Sequence, residues 1–143
     1  DNIFFLDMGV RNGGNLIPNL IELATGIDLI EFAIKASLGE DCRNLKMINP
    51  KGNWASYLIN SQKSGVLRGI KINENLMRNN VIKYDLWVNI GDQVTSYTGS
   101  NQMLGTMIFK FSSMSEMLSI MDKIDSLVEV IVEDPNLKSV TKL

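Results

Sequence analysis

The 143-residue sequence contains no histidine. That removes Ser-His-Asp triads, Cys-His nucleophile pairs and His-ligated zinc from the chemistry of this chain. It contains one cysteine, Cys42, so no disulfide can form within the chain and no Cys₄ site can be built. Cys42 reads as a small, partly buried residue in a reduced, cytoplasmic setting. There is no basic run, and the net charge is -2. Nucleic-acid and anionic-membrane surfaces need clustered Lys and Arg, so neither partner is expected. No stretch approaches the roughly 20 apolar residues of a membrane-spanning helix. No charged segment followed by an apolar one marks a signal peptide. The chain opens Asp-Asn-Ile without an initiator Met, so it reads as a piece of a longer polypeptide.

What is present is a folded composition, 45% hydrophobic and 21% charged. The other elements make most sense around Phe4-Phe5-Leu6-Asp7-Met8-Gly9-Val10-Arg11-Asn12-Gly13-Gly14. An apolar run ends in a carboxylate, then comes a glycine, an arginine and a glycine pair. Residues 3–6 predict a short buried strand running into a glycine loop. In an extended chain Asp7, Gly9 and Arg11 point to one face. A Mg²⁺ ion takes only one or two protein carboxylates, and Asp7 could be one of them. The planar fork of Arg11 suits a carboxylate or phosphate. Gly13 and Gly14 would let backbone N–H groups approach an anion. The residues alone leave a second reading open, in which Asp7 and Arg11 form an ordinary ion pair and the glycines make a plain turn.

Pro18 suits the first turn of a short helix that Gly26 ends. Asp28 and Glu31 have capping-box spacing, and Ile27, Ile30, Ala33, Ile34 and Leu38 recur with helical period up to Gly39. Residues 40–52 are polar and read as a connection. The remainder predicts a β-rich part. Strands are expected from Trp54 to Asn60, over Val66–Ile72, over Val81–Asn89, and from Leu104 to Phe111. Asn79-Asn80 reads as a turn. Ile90-Gly91-Asp92 reads as a hairpin turn, with Gln93–Tyr97 as the return strand. Trp54, Tyr57, Tyr84 and Trp87 are expected in sheet core or an interface. Ser113 and Glu116 predict a capped helix with Met117, Leu118, Met121, Ile124 and Leu127 on one packed face. Val128–Val132 fits a helical continuation or a strand, and its β-branched content favours strand. The predicted class is α+β, organised as residues 1–45, a small antiparallel β-rich subdomain with a closing helix over 46–134, and a loose tail over 135–143.

The stretch from Phe5 to Gly14, with Ile17-Pro18, the run Glu22-Leu23-Ala24-Thr25-Gly26-Ile27-Asp28-Leu29 and Leu38-Gly39-Glu40, resembles the C-terminal edge of the ATP-grasp fold. The carboxylate–amine ligases of the L-amino-acid type are most similar, and biotin carboxylase and carbamoyl-phosphate synthetase resemble it more distantly. Gly65-Val66-Leu67, Asn89-Ile90-Gly91-Asp92-Gln93-Val94 and Leu104-Gly105 resemble the small C-terminal β-domain of those ligases.

The resemblance implies an ATP- and Mg²⁺-dependent enzyme that joins a small-molecule carboxylate to an amine through an acyl phosphate. It implies Arg11 as the catalytic residue, Arg11, Asn12, Gly13 and Gly14 at the phosphate-binding loop, and Asp7 as the metal ligand. The family pattern reads Glu-x-Asn-x-Arg, whereas this chain has Asp7, Gly9 and Arg11. Gly9 can offer only its carbonyl in place of the amide. The lysines, glycine-rich lid and adenine-clamping strands of the family lie upstream in its members. The implied partners are therefore the N-terminal and central ATP-grasp domains of the same chain, and the fragment is expected to be inactive alone. The alternative is a non-catalytic module that forms a homodimer or covers an active site.

Overall fold

The computed structural model describes Gly9 and residues 11–134. The chain divides between Lys51 and Gly52 into two compact units. The strand expected over residues 3–6, and Asp7 with it, lies outside the described residues, as does the tail from Pro135.

In the first unit, α1 (Ile17–Thr25) has a proline in its first turn and ends at Gly26, whose φ is +79°. Glycine is required there because the left-handed conformation costs any residue with a Cβ. The next helix, α2 (Leu29–Ser37), starts where the Asp28 carboxylate accepts from the N–H groups of Ile30 and Glu31, both at 2.9 Å. Its end is a Schellman motif. Gly39 sits at φ +75°, its N–H donates to the Ala36 carbonyl at 3.1 Å, and the Glu40 N–H reaches the Lys35 carbonyl at 2.9 Å. The only regular elements described before residue 52 are these two helices, with the polar stretch after Gly39 running as irregular chain.

The second unit holds two three-stranded antiparallel sheets. The first is ordered β1 (Asn53–Ile59), β5 (Gly105–Phe111), β3 (Val81–Leu86); the second is β4 (Gln93–Val94), β2 (Gly65–Ile72), β6 (Val128–Glu133). Alternate side chains of the strands meet in one core: Ile59, Met107 and Phe109 from the first sheet, Leu67, Val94 and Val128 from the second. Leu76 joins it from a short helix, α3 (Glu74–Asn79), and Ile124 from α5 (Ile124–Leu127). Val128–Glu133 is a strand, as its β-branched content predicts.

Three expectations need correction. Gln93-Val94 does not return along β3; it pairs with Gly65 and Val66 of β2 in the other sheet. The turn before it is real, with Gly91 at φ +99° and Asp92 N–H on the Asn89 carbonyl at 3.1 Å. It turns the chain onto a different partner: Leu67 N–H donates to the Asp92 carbonyl at 2.9 Å, and Gly91 N–H donates to the Leu67 carbonyl at 2.8 Å. Second, Asn79-Asn80 closes a helix rather than a simple turn. Asn73 caps the start of α3 by accepting from Asn75 and Leu76, and Asn80 ends it.

Third, the helix after Ser113 is broken into α4 (Met114–Met121) and α5. Met117, Ile120 and Met121 pack on the core, while Leu118 is 61% exposed. The capping box is also shifted by one residue. Ser113 accepts from Glu116 N–H at 3.1 Å, but the Glu116 carboxylate reaches back to Ser112. Of the aromatic residues, Tyr57 and Tyr84 pack against the core, while Trp87 lies beyond the end of β3 and is half exposed.

Candidate functional site

The loop that enters α1 carries the predicted site residues Arg11, Asn12, Gly13 and Gly14. Its first fixed point is Asn12. The side-chain amide of Asn12 donates to the Leu29 carbonyl at 3.0 Å, tying the loop to the first turn of α2 across 17 residues. The second fixed point is a turn at Gly14, whose carbonyl accepts from Ile17 N–H at 3.1 Å. Between them and α1, Asn15 and Leu16 take φ values of +58° and +60°. Leu16 is the residue before the helix, and no side chain caps it.

Arg11 is exposed, and its Nη1 donates to the carbonyl of Asn12 at 3.1 Å. Among the described residues no carboxylate pairs with it. Arg43, by contrast, is held in a two-point pair with Asp41, with Nη2 to Oδ2 at 2.7 Å. That pair holds the Asp41 carboxyl below its ordinary range, chiefly through the side-chain hydrogen bonds from Arg43. Arg11 thus uses one donor nitrogen of its guanidinium within the described residues and keeps others without a partner there.

Beside Arg11 lies a shallow concavity of about 310 Å³. Arg11 and Asn12 form one rim; Leu29, Phe32, Cys42 and Leu45 form the apolar remainder. Cys42 Sγ lies 3.7 Å from the carbonyls of Phe32 and Glu40, a weak donor within the wall. Leu29 and Phe32 carry no sequence signal beyond helical period, and sequence reasoning did not place them at the site. Gly13 and Gly14 have ordinary backbone angles. A Cβ on Gly14 would meet nothing within 4 Å, and one on Gly13 would touch only Ile17. The glycines therefore leave that side of the loop open without being demanded by sterics.

Among the described residues the donors beside the concavity are a guanidinium, an amide and backbone; Asp7, the predicted metal ligand, lies outside them. No group of three or more Asp, Glu, Cys or His side chains able to hold a metal ion occurs among the described residues. A hard cation needs oxygen ligands, and this rim offers a guanidinium, an amide already bonded to Leu29 and backbone. No helix of the described residues is long and apolar enough to cross a membrane.

The sequence matches no family profile and no curated protein. Its fold does match solved structures. An L-amino acid ligase from Bacillus licheniformis superposes with a TM-score of 0.68 at 18% identity, over 84% of this chain and 30% of that one. Phosphoribosylglycinamide synthetase from Anaerococcus prevotii superposes with a TM-score of 0.60 at 22% identity, over 85% of this chain and 31% of that one. Both are ATP-grasp enzymes. This chain spans less than a third of the length of either, and its α+β architecture is that of part of an ATP-grasp fold.

Proposed function

We propose that this chain forms the C-terminal part of an ATP-dependent carboxylate–amine ligase, in which Arg11 binds the reacting anion. The observation that carries this reading is Arg11 itself: exposed, without a carboxylate partner among the described residues, and set on a loop anchored by Asn12. The shared fold with an L-amino acid ligase supports it. In the proposed reaction a substrate carboxylate oxygen attacks the γ-phosphorus of ATP and ADP leaves. An amine then attacks the acyl phosphate, the C–O bond to phosphate breaks, and an amide forms as a proton is lost from nitrogen. Charge spreads over phosphoryl oxygens in the first step and collects on departing phosphate in the second. A guanidinium with free N–H donors stabilises both by position and charge.

Asn12 would serve as a positioning residue by holding the loop to α2. Gly13 and Gly14 would leave backbone N–H groups open to phosphate oxygens. Mg²⁺ accompanies ATP in this proposal, with Asp7 as its ligand from this chain. No carboxylate lines the concavity among the described residues, so remaining ligands would come from phosphates, water and the proposed upstream domains.

The test is Arg11→Ala in a ligase that contains this chain and the upstream ATP-grasp domains. Turnover should fall by roughly 10²–10³ with the melting temperature unchanged. Near-normal turnover sinks the proposal. The exposed row Ile30 and Ile34 on α2, with Leu38 just past its end, favours a second reading, a covering or dimerising module. Light scattering separates the two: a tight dimer of this chain supports the module.

A further inference from the structure

Among the described residues each sheet has two outermost strands, β1 and β3 in one, β4 and β6 in the other. A single groove of about 310 Å³ lies between the end of β1, with the turn that follows it, and residues 128–132 of β6. Along an outermost strand every second residue turns its N–H and C=O away from its only neighbour. One wall of the groove is therefore a row of peptide donors and acceptors. Edge strands are usually blunted by proline, by charged side chains, lysine above all, or by a bulge; the charges on β6 are Glu129 and Glu133. Val128–Glu133 has neither proline nor lysine, and the register shift of this sheet falls between Leu67 and Gly69 in β2.

We propose that this groove receives an extended polypeptide segment, added to β6 as a further antiparallel strand, with Lys or Arg at two positions flanking a branched aliphatic residue. The outward row of β6 dictates that chemistry. It reads Glu129, Ile131, Glu133, all exposed, with Ile131 at 43%. A strand laid beside it sets an apolar side chain against Ile131 and cations against the acids. Glu133 is already paired with Arg68 across β2, so Glu129 carries most of the charge preference. The groove agrees, with Asp125 and Glu129 against the single ammonium of Lys63. A second copy of β6 centred on Ile131 would set Glu129 against Glu133, and like charges facing each other disfavour that pairing.

The test uses this chain, ¹⁵N-labelled, and two peptides: Thr-Lys-Thr-Val-Thr-Lys-Thr and the same peptide with Glu for Lys. The basic peptide should slow hydrogen exchange at alternate amides of residues 128–132, and the acidic peptide should bind about tenfold more weakly. Glu129→Lys, an exposed change, should reverse the preference, and Glu129→Gln should reduce it. Three results overturn the proposal: no protection of those amides by either peptide at millimolar concentration, equal binding of both, or a dimer whose interface maps to β6 and which the peptides leave intact.

Discussion

The Tyr57 hydroxyl donates to Asp125 Oδ1 at 2.9 Å, joining β1 to α5 across 68 residues of sequence. Burial, then the bond and the charge of Asp125, raise the Tyr57 phenol above its ordinary value of 10.0. The folded protein holds this proton more tightly than the unfolded chain does. The associated stability is full below pH 10 and is lost as the pH rises further. Denaturant melts between pH 9 and pH 11.5 should show this loss, and Tyr57→Phe should flatten that slope. At neutral pH, Tyr57→Phe should cost about 0.5–1.5 kcal/mol, because one bond at a half-buried site is lost.

Glu116 titrates with the opposite sign. The Ser112 hydroxyl, then the Ser112 N–H and the Asn80 amide, hold its carboxyl below its ordinary 4.5. The stability this gives is full above pH 4.5 and is lost as pH falls through the lowered value. A carbon-detected titration should find the Glu116 carboxyl among the late-protonating glutamates, and Ser112→Ala should bring it back towards 4.5.

Gly65 and Gly105 are places where no Cβ fits. At Gly65, with φ +150°, a Cβ would stand 2.8 Å from Val132 Cγ1 and press on the Glu133 carbonyl. At Gly105 it would meet the Asp85 carbonyl and the Leu86 side chain at 3.0 Å. In each case the nearest obstacle is a backbone carbonyl, which no side-chain rotation can move away. Gly65→Ala and Gly105→Ala should each cost about 2–4 kcal/mol, read from urea midpoints, whereas Gly14→Ala should stay within about 1 kcal/mol.

Thr106 is fully buried in β5, and its hydroxyl has no hydrogen-bond partner among the described residues. A buried hydroxyl left unpaired costs about 1–3 kcal/mol, so Thr106→Val should raise the melting temperature by about 2–6 °C. A lower melting temperature would mean that the hydroxyl is satisfied.

Helix ends in this chain are legible in sequence because they are local. Asp28, Gly26, Gly39 and Ser113 each act on backbone within four residues. The choice of strand partner was not legible. Ile90-Gly91-Asp92 announces a turn, but whether Gln93-Val94 meets β3 or β2 is decided by Gly65 and Leu67, far along the chain. The alternation of residues 81–86 is likewise interrupted by a bulge between Val81 and Lys83 that no local residue marks. At the site, Arg11 and Asn12 were visible as residue types. The bond from Asn12 to the Leu29 carbonyl and the wall formed by Phe32 were not, since both depend on how α2 folds back on the loop.

Asn15 and Leu16 hand the chain to α1 through two successive left-handed residues, neither of them glycine. This handover sets the start of the helix by torsion and by backbone bonds from Ile17 to Gly14 and from Leu20 to Leu16, without a side-chain cap. The loop carrying Arg11 therefore cannot continue the right-handed winding of α1, which begins only at Ile17.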